Sequence, residues 1–401
     1  MVLDNIKDKL LWYMIALGTV FFLLGSGGSA ILRVIGFLIL ISSFWIHMIK
    51  CKFNVPLPII LSCACFCLTF VMGIVVSILN DSYTSVFYLT VLIVFMLPLF
   101  IFIYNSYGQI FVQRLIGFIA WSLIIVFFSL FVVLFFMRQQ FGPALLVFLN
   151  DNYSGGFYYR SLFSFDNFPL IWFQFSILAM PLAIWHLFAK KYLLFSILTI
   201  VVFLSLNRTG SFVIIFFFFL SLIRSQNFIG KLWLYFLFIL PVLFLIICVF
   251  LHAVYAPDYV NNGSGFSIRL GHVVSTFNYL YRDLNLIVGM GADAPFETLG
   301  RDEPGLIVRD QEISFLEILR RFGLIGYGVF NIGLIVTFLH FYRIKCWQAF
   351  YSLLCYVLFS FTNPSLISFI FVIFYAIIST SGKKAHSSDS SDLQSGSPAL
   401  T

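Results

Sequence analysis

Apolar runs separated by short polar breaks occupy almost the whole chain, at about 10–26, 30–49, 56–79, 85–104, 115–137, 169–188, 192–206, 211–223, 231–251, 313–342, 347–361 and 365–380. A helix needs roughly 17 to 25 apolar residues to cross a bilayer, so the pattern predicts an all-α polytopic membrane protein of about twelve transmembrane helices. Two connections are long, residues 138–168 and 252–312, and the second is expected to contain short helices of its own. Residues 1–381 therefore read as one transmembrane domain. The Ser-rich stretch 382–401 reads as a disordered tail.

Composition agrees with this pattern. Of the 401 residues 61 % are apolar and 10 % charged, and the mean hydropathy is +1.04, which excludes a water-soluble domain and an intrinsically disordered chain. The net charge of +7 would suggest nucleic acid in a soluble protein, but in a membrane protein its division between the two faces is more informative. With the amino terminus in the cytoplasm, Lys7, Lys9, Lys50, Lys52, Lys190, Lys191, Lys231, Lys345, Lys383 and Lys384 all fall on the cytoplasmic side, with Arg114, Arg224 and Arg343. Both termini are thus predicted to be cytoplasmic. The ten basic residues left over are all arginines: Arg33, Arg138, Arg160, Arg208, Arg269, Arg282, Arg301, Arg309, Arg320 and Arg321. Lysine sets topology by charge alone, whereas the planar guanidinium grips phosphate or carboxylate with paired hydrogen bonds. The outer face is expected to hold an anion.

Cysteine usage adds no framework. Cys63, Cys65, Cys67, Cys248 and Cys355 lie inside apolar runs, and Cys51 and Cys346 sit in short basic breaks, so neither disulfides nor a zinc cluster is expected. The first apolar run lacks a small-residue cleavage site ahead of a soluble domain and reads as a span.

The candidate chemistry lies in three places. Ser205-Leu-Asn-Arg208-Thr-Gly210-Ser separates two runs too short to cross a bilayer comfortably. Either both helices are short or this turn dips into the membrane, where an arginine costs about 2.5–3.5 kcal/mol without a partner. The loop 138–168 is aromatic and carries Arg160, a composition suited equally to stacking on sugars and to an interfacial belt. The loop 252–312 holds eight acidic residues against four arginines, so an anion there must be gripped by individual guanidiniums. It contains Arg269, His272 and the pair Gly289-x-Gly291, whose glycines permit close backbone approach. A loop histidine is ordinarily solvated, with a base as the alternative role for His272. After it Asp310 reads as a helix N-cap, Glu312 as a first-turn acid, and Glu317 as an ion-pair partner for Arg320 and Arg321.

Together these features resemble the bacterial O-antigen polymerase and O-antigen ligase superfamily. The resemblance rests on the span count, on Asn207-Arg208-Thr209-Gly210 near mid-chain, and on a large penultimate outer loop. That loop has Arg269 some twenty residues before Gly289-x-Gly291 and closes with Gly323-Leu-Ile-Gly326, and the late Asn363-Pro364-Ser365 turn is also similar. It covers most of the chain as architecture and about forty residues as motif. Ligases of this group place a histidine eleven residues before the first glycine of the Gly-x-x-Gly pair, where this chain has Glu312.

The resemblance accordingly implies a Wzy-type polysaccharide polymerase in the bacterial inner membrane, working on the periplasmic side without metal, nucleotide or other cofactor. Its implied partners are the bilayer, undecaprenyl-diphosphate-linked donor and acceptor oligosaccharides and a chain-length regulator protein, with no nucleic acid. Arg208 and Arg269 would neutralise the leaving diphosphate, Glu312 or Asp310 would be the base, and Arg160, His272, Gly289 and Gly291 would contact substrate. The alternatives are an O-antigen ligase and a lipid-linked oligosaccharide flippase.

Overall fold

The computed structural model describes residues 6–26, 30–48, 55–81, 85–136, 142–152, 155–162, 165–205, 208–223, 226–257, 259, 265–282, 284–300, 307–308, 313–361 and 366–380. The tail predicted at 382–401 lies outside the described residues. The rest is a helical membrane protein. Five described segments are long and apolar enough to cross a membrane: 57–79, 87–105, 110–136, 226–255 and 314–343. Seven shorter apolar helices accompany them.

The amino-terminal half contains α1 (Ile6–Ser26), α2 (Ala30–Met48), α3 (Leu57–Leu79), α4 (Ser85–Phe136) and α5 (Gly142–Asn152). A hairpin follows, β1 (Gly155–Leu162) and β2 (Phe165–Phe173), and a 3-10 turn, Gln174–Leu178, leads into α6 (Ala179–Phe188). Then come α7 (Tyr192–Leu204), α8 (Arg208–Leu222) and α9 (Gln226–Tyr255). The long second connection folds as α10 (Gly265–Leu280), α11 (Asn285–Val288) and the strand pair β3 (Phe296–Glu297) and β4 (Ile307–Val308). The chain closes with α12 (Ser314–Arg343), α13 (Trp347–Ser360) and α14 (Phe369–Ser379).

The centre of the bundle is α14, whose eleven residues are all buried, as expected of a helix that is apolar on every side. It packs on α1, α4 and α13. Beside it, α3 and α12 run antiparallel: Ser62 Oγ donates to the Gly333 carbonyl at 2.6 Å, Thr69 meets the Gly326 carbonyl, and Gly73 lies against the Phe322 ring. A buried hydroxyl cluster ties the three helices together, with Tyr375 donating to Ser62 at 2.8 Å and Thr337 within 3.0 Å of Tyr375. Lipid-facing helices lack a hydrophobic drive to associate, so small residues and such hydrogen bonds carry much of the association.

The basic breaks at Lys190 and Lys345 are tight helix ends. Each lysine adopts a left-handed φ, 58° and 54°, and the following amides, Lys191 and Cys346, donate back to the carbonyls of His186 and Phe341. These are the 6→1 bonds that close a helix when its C′ residue is left-handed.

Two expectations differ from the structure here. The runs 85–104 and 115–137 are not separate helices: α4 continues through both for 52 residues, about 78 Å at 1.5 Å per residue. At this break Asn105 is satisfied inside the bundle, while Gln113 and Arg114 are exposed. Asn105 donates to the Ile101 carbonyl at 2.9 Å and reaches Ser379 Oγ on α14, while α1 lies alongside through Thr19–Tyr104 and Trp12–Phe111. The run at 169–188 is also mixed, since its first residues form the end of β2.

Candidate functional site

The candidate site is assembled at the end of the bundle where α3 finishes and α12 begins, and its organiser is a kink. Within α12, Gly323 has φ 63° and ψ −170° and breaks the helix into a short amino-terminal part and a long one. A break there deprives the carbonyls of Arg320 and Arg321 of their normal partners four residues on, and buried carbonyls need replacements. The loop after α11 supplies them. Met290 N–H donates to the Arg320 carbonyl at 2.9 Å and Gly291 N–H to the Arg321 carbonyl at 3.1 Å.

That docking requires glycine on both sides. Gly289 and Gly291 have φ of 84° and 101°, the left-handed region that other residues rarely occupy. A Cβ on Gly289 would stand 2.3 Å from the Arg321 carbonyl oxygen, and one on Gly291 2.7 Å from Ser77 Oγ. The close approach expected of Gly289-x-Gly291 is therefore made to the chain's own backbone, and the amides of Met290 and Gly291 are already occupied.

The loop continues onto α3. Ala292 N–H donates to the Gly73 carbonyl at 3.0 Å, Asp293 N–H to Ser77 Oγ, and Asn80 Nδ2 to the Met290 carbonyl. From the other side Arg320 Nη1 donates to the Ala294 carbonyl, and its guanidinium lies 4.6 Å from the centroid of Phe296. Both faces of residues 290–296 are thus held.

Between kink and loop lies a buried charge cluster. Glu317 accepts from Arg320 through both carboxylate oxygens, at 2.8 and 2.9 Å, and from Arg321 Nε. All three residues are at most 2 % exposed. The pairing of Glu317 with Arg320 and Arg321 expected from helical spacing is present, in a far drier setting than a surface ion pair.

Helix α10 brings Arg269 and His272 to the same region. Leu270, Val273, Val274, Phe277 and Leu280 bury one face of it. Arg269 is half-buried one turn before His272. His272 is fully buried, with Nδ1 2.8 Å from Thr298 Oγ1, which corrects the solvated loop position expected for it. The turn after α7 reaches this end through α13: Ser205, Gly210, Ser176 and Phe359 line a cavity of about 10 Å³, while Phe361 stacks on Phe315 at 4.4 Å. With 13 and 15 residues, α7 and α8 are about 20 and 22 Å long, so both helices beside the turn are short. Arg208 opens α8.

The other predicted positions divide. Arg160 lies in β1, its backbone opposite Phe168; for Arg160 and Arg208 the side chains are outside the described residues. Asp310 and Glu312 are likewise outside the described residues. The N-cap of α12 is Ile313, in extended conformation, so Asp310 is not the cap expected of it, and Glu312 immediately precedes the capping residue. The polar groups that sequence reasoning passed over are Ser77, Asn80 and Asp293, which lack any spacing signal because their partners come from distant segments. Among the described residues no group of three His, Cys, Asp or Glu is placed to hold a metal ion.

Comparison of the chain with protein-family models, with curated proteins and with solved structures gave no match.

Proposed function

We propose that this membrane protein is a polysaccharide polymerase of the O-antigen type, a glycosyltransferase that joins lipid-linked oligosaccharides at the periplasmic face of a bacterial inner membrane. The observation that carries the reading is the clasp between Gly289–Asp293 and the kink at Gly323. It fixes the capped end of α12, which Glu312 precedes in the chain, against α3 and in the same region as the arginine-bearing helix α10.

In the proposed reaction a sugar hydroxyl of the acceptor attacks the anomeric carbon of the donor. The new glycosidic C–O bond forms as the bond to undecaprenyl diphosphate breaks, with inversion. Glu312, or Asp310 beside it, takes the hydroxyl proton. Arg208 and Arg269 hold the departing diphosphate, whose charge needs neutralisation rather than protonation. Arg160 and the aromatic hairpin contact sugar, whereas His272, buried against Thr298, is placed to steady α10 rather than to touch substrate. The carboxylate at position 312, where a ligase would have histidine, supports polymerase over ligase. A flippase would line a path with charges spread through its interior, whereas the buried charged pairs described here sit together at one end of α12.

The reading is tested in cells by Arg208→Ala, Arg269→Ala and Glu312→Ala at normal expression. Loss of long polysaccharide with retention of a single repeat on its final acceptor is the expected result. Loss of the single repeat as well would assign the defect to ligation or flipping.

A further inference from the structure

The cleft between α1, α2, α4 and α14 is not used by the proposed reaction. It has a volume of about 310 Å³ and is bounded by Phe22, Arg33, Phe37, Leu92, Met96 and Phe369. Its lining is almost wholly apolar, and the Arg33 side chain stands at its edge. Val34 and Leu92 at its rim are exposed, so it opens sideways onto the surface that faces hydrocarbon.

Arg33 is held there by construction. A Cβ on Gly25 would stand 2.2 Å from the Arg33 nitrogen and one on Gly36 2.4 Å from the Phe22 nitrogen, so α1 and α2 meet backbone to backbone and leave Arg33 little freedom to shift along the helix. Its guanidinium lies 5.9 Å from the Phe369 ring centroid. Among the described residues no carboxylate pairs with it. An arginine near the end of an apolar helix, at the edge of an apolar cleft, is a demand for an external anion with an apolar body.

We propose that this cleft binds one singly anionic phospholipid of the phosphatidylglycerol class, its phosphate on Arg33 and an acyl chain along Phe22, Phe37 and Met96. The charge count selects the occupant. One guanidinium, with no second basic residue lining the cleft among the described residues, matches a phosphodiester bearing one negative charge, and a diphosphate would leave charge uncompensated. A zwitterionic headgroup brings an ammonium that Arg33 repels.

The test is native mass spectrometry of the full-length protein in detergent, titrated separately with palmitoyl-oleoyl phosphatidylglycerol, phosphatidylcholine of the same chains, and undecaprenyl diphosphate. The wild type is expected to take up one phosphatidylglycerol about tenfold more tightly than phosphatidylcholine. Arg33→Gln should abolish that preference, and Met96→Trp, which fills the cleft, should weaken both lipids. A phosphatidylglycerol preference that survives Arg33→Gln overturns the proposal, as does Arg33-dependent binding that favours the diphosphate. Should either variant fail to fold, wild-type protein labelled with a phosphatidylglycerol carrying a photoreactive acyl chain decides the matter. Crosslinks on residues 22–37 or 92–96 support the site, and crosslinks confined elsewhere contradict it.

Discussion

Gly289 and Gly323 meet backbone to backbone: a Cβ on Gly323 would lie 2.4 Å from the Gly289 nitrogen, and both residues hold a positive φ. Each makes the other's conformation possible. The kink at Gly323 frees the carbonyls that the loop needs, and the turn at Gly289 brings the amides that those carbonyls need.

Gly323→Ala and Gly289→Ala should therefore each be strongly destabilising. A left-handed L-residue costs about 1–2 kcal/mol, and forcing a methyl against immobile backbone adds about 1–3 kcal/mol. The thermal transition of the purified protein should fall in both variants, and the double variant should lose less than the sum because one contact is broken twice. Hydrogen exchange should rise in residues 289–296 first. Unchanged protection there in Gly323→Ala would mean that the clasp does not depend on the kink.

The Glu317 cluster predicts an asymmetric outcome. Removing the carboxylate takes a shared anionic partner from two buried guanidiniums, so Glu317→Ala should cost about 3–5 kcal/mol. Arg320→Lys should fail to restore what Arg320→Ala loses, since a lysine ammonium at that position cannot serve both oxygens of Glu317 and the Ala294 carbonyl together. Folded-protein yield and thermal stability are the readouts. A lysine variant as stable as the wild type would show that charge alone suffices.

At the contact of α3 with α12, a Cβ on Gly73 would stand 2.3 Å from Phe322 Cε1. Gly73→Ala is expected to destabilise by about 1–3 kcal/mol, and adding Phe322→Leu should recover part of the loss. Additive losses in the double variant would place the sensitivity of Gly73 elsewhere.

How far the fold could be read in advance varies by element. Apolar length located α3 and α12 to within a residue or two, at 57–79 against a run of 56–79 and at 314–343 against 313–342; hydrocarbon thickness accounts for the length of α3, whereas the kink at Gly323 inside α12 had no signal in the run. Apolar length found both apolar segments of α4 but not their continuity, since the polar stretch from Asn105 to Arg114 looks like a loop but is helical, with Tyr104 just before it and Phe111 within it touching α1. Polarity reports the need for hydrogen bonds, and Asn105 finds them at Ile101 and Ser379 rather than in water. The short helices expected in the second long connection are present as α10 and α11, but His272, expected as a solvated loop residue, is buried on α10 because Leu270, Val273, Val274, Phe277 and Leu280 turn one face of that helix inward. Gly289-x-Gly291 announced a close approach but not its partner, since backbone carbonyls freed by a kink leave no mark in composition.

The arginine argument makes a prediction of its own. If Arg208 and Arg269 grip a diphosphate through paired hydrogen bonds, lysine at either position keeps the charge and loses the fork. Polymer synthesis by Arg208→Lys and Arg269→Lys should fall by about tenfold or more, equivalent to about 1.4 kcal/mol, with protein level unchanged. Full activity of both lysine variants would reduce the role of these arginines to bulk charge.

The central claim is tested most directly by supplying the purified protein in vesicles with an undecaprenyl-diphosphate-linked repeat unit as the only substrate. Wild-type protein should convert it to a ladder of lipid-linked oligomers with release of undecaprenyl diphosphate, and Glu312→Ala should leave the single unit intact. No oligomers from folded wild-type protein supplied with the matching repeat unit, or an undiminished ladder from Glu312→Ala, would contradict the account, the first in its reaction and the second in its base.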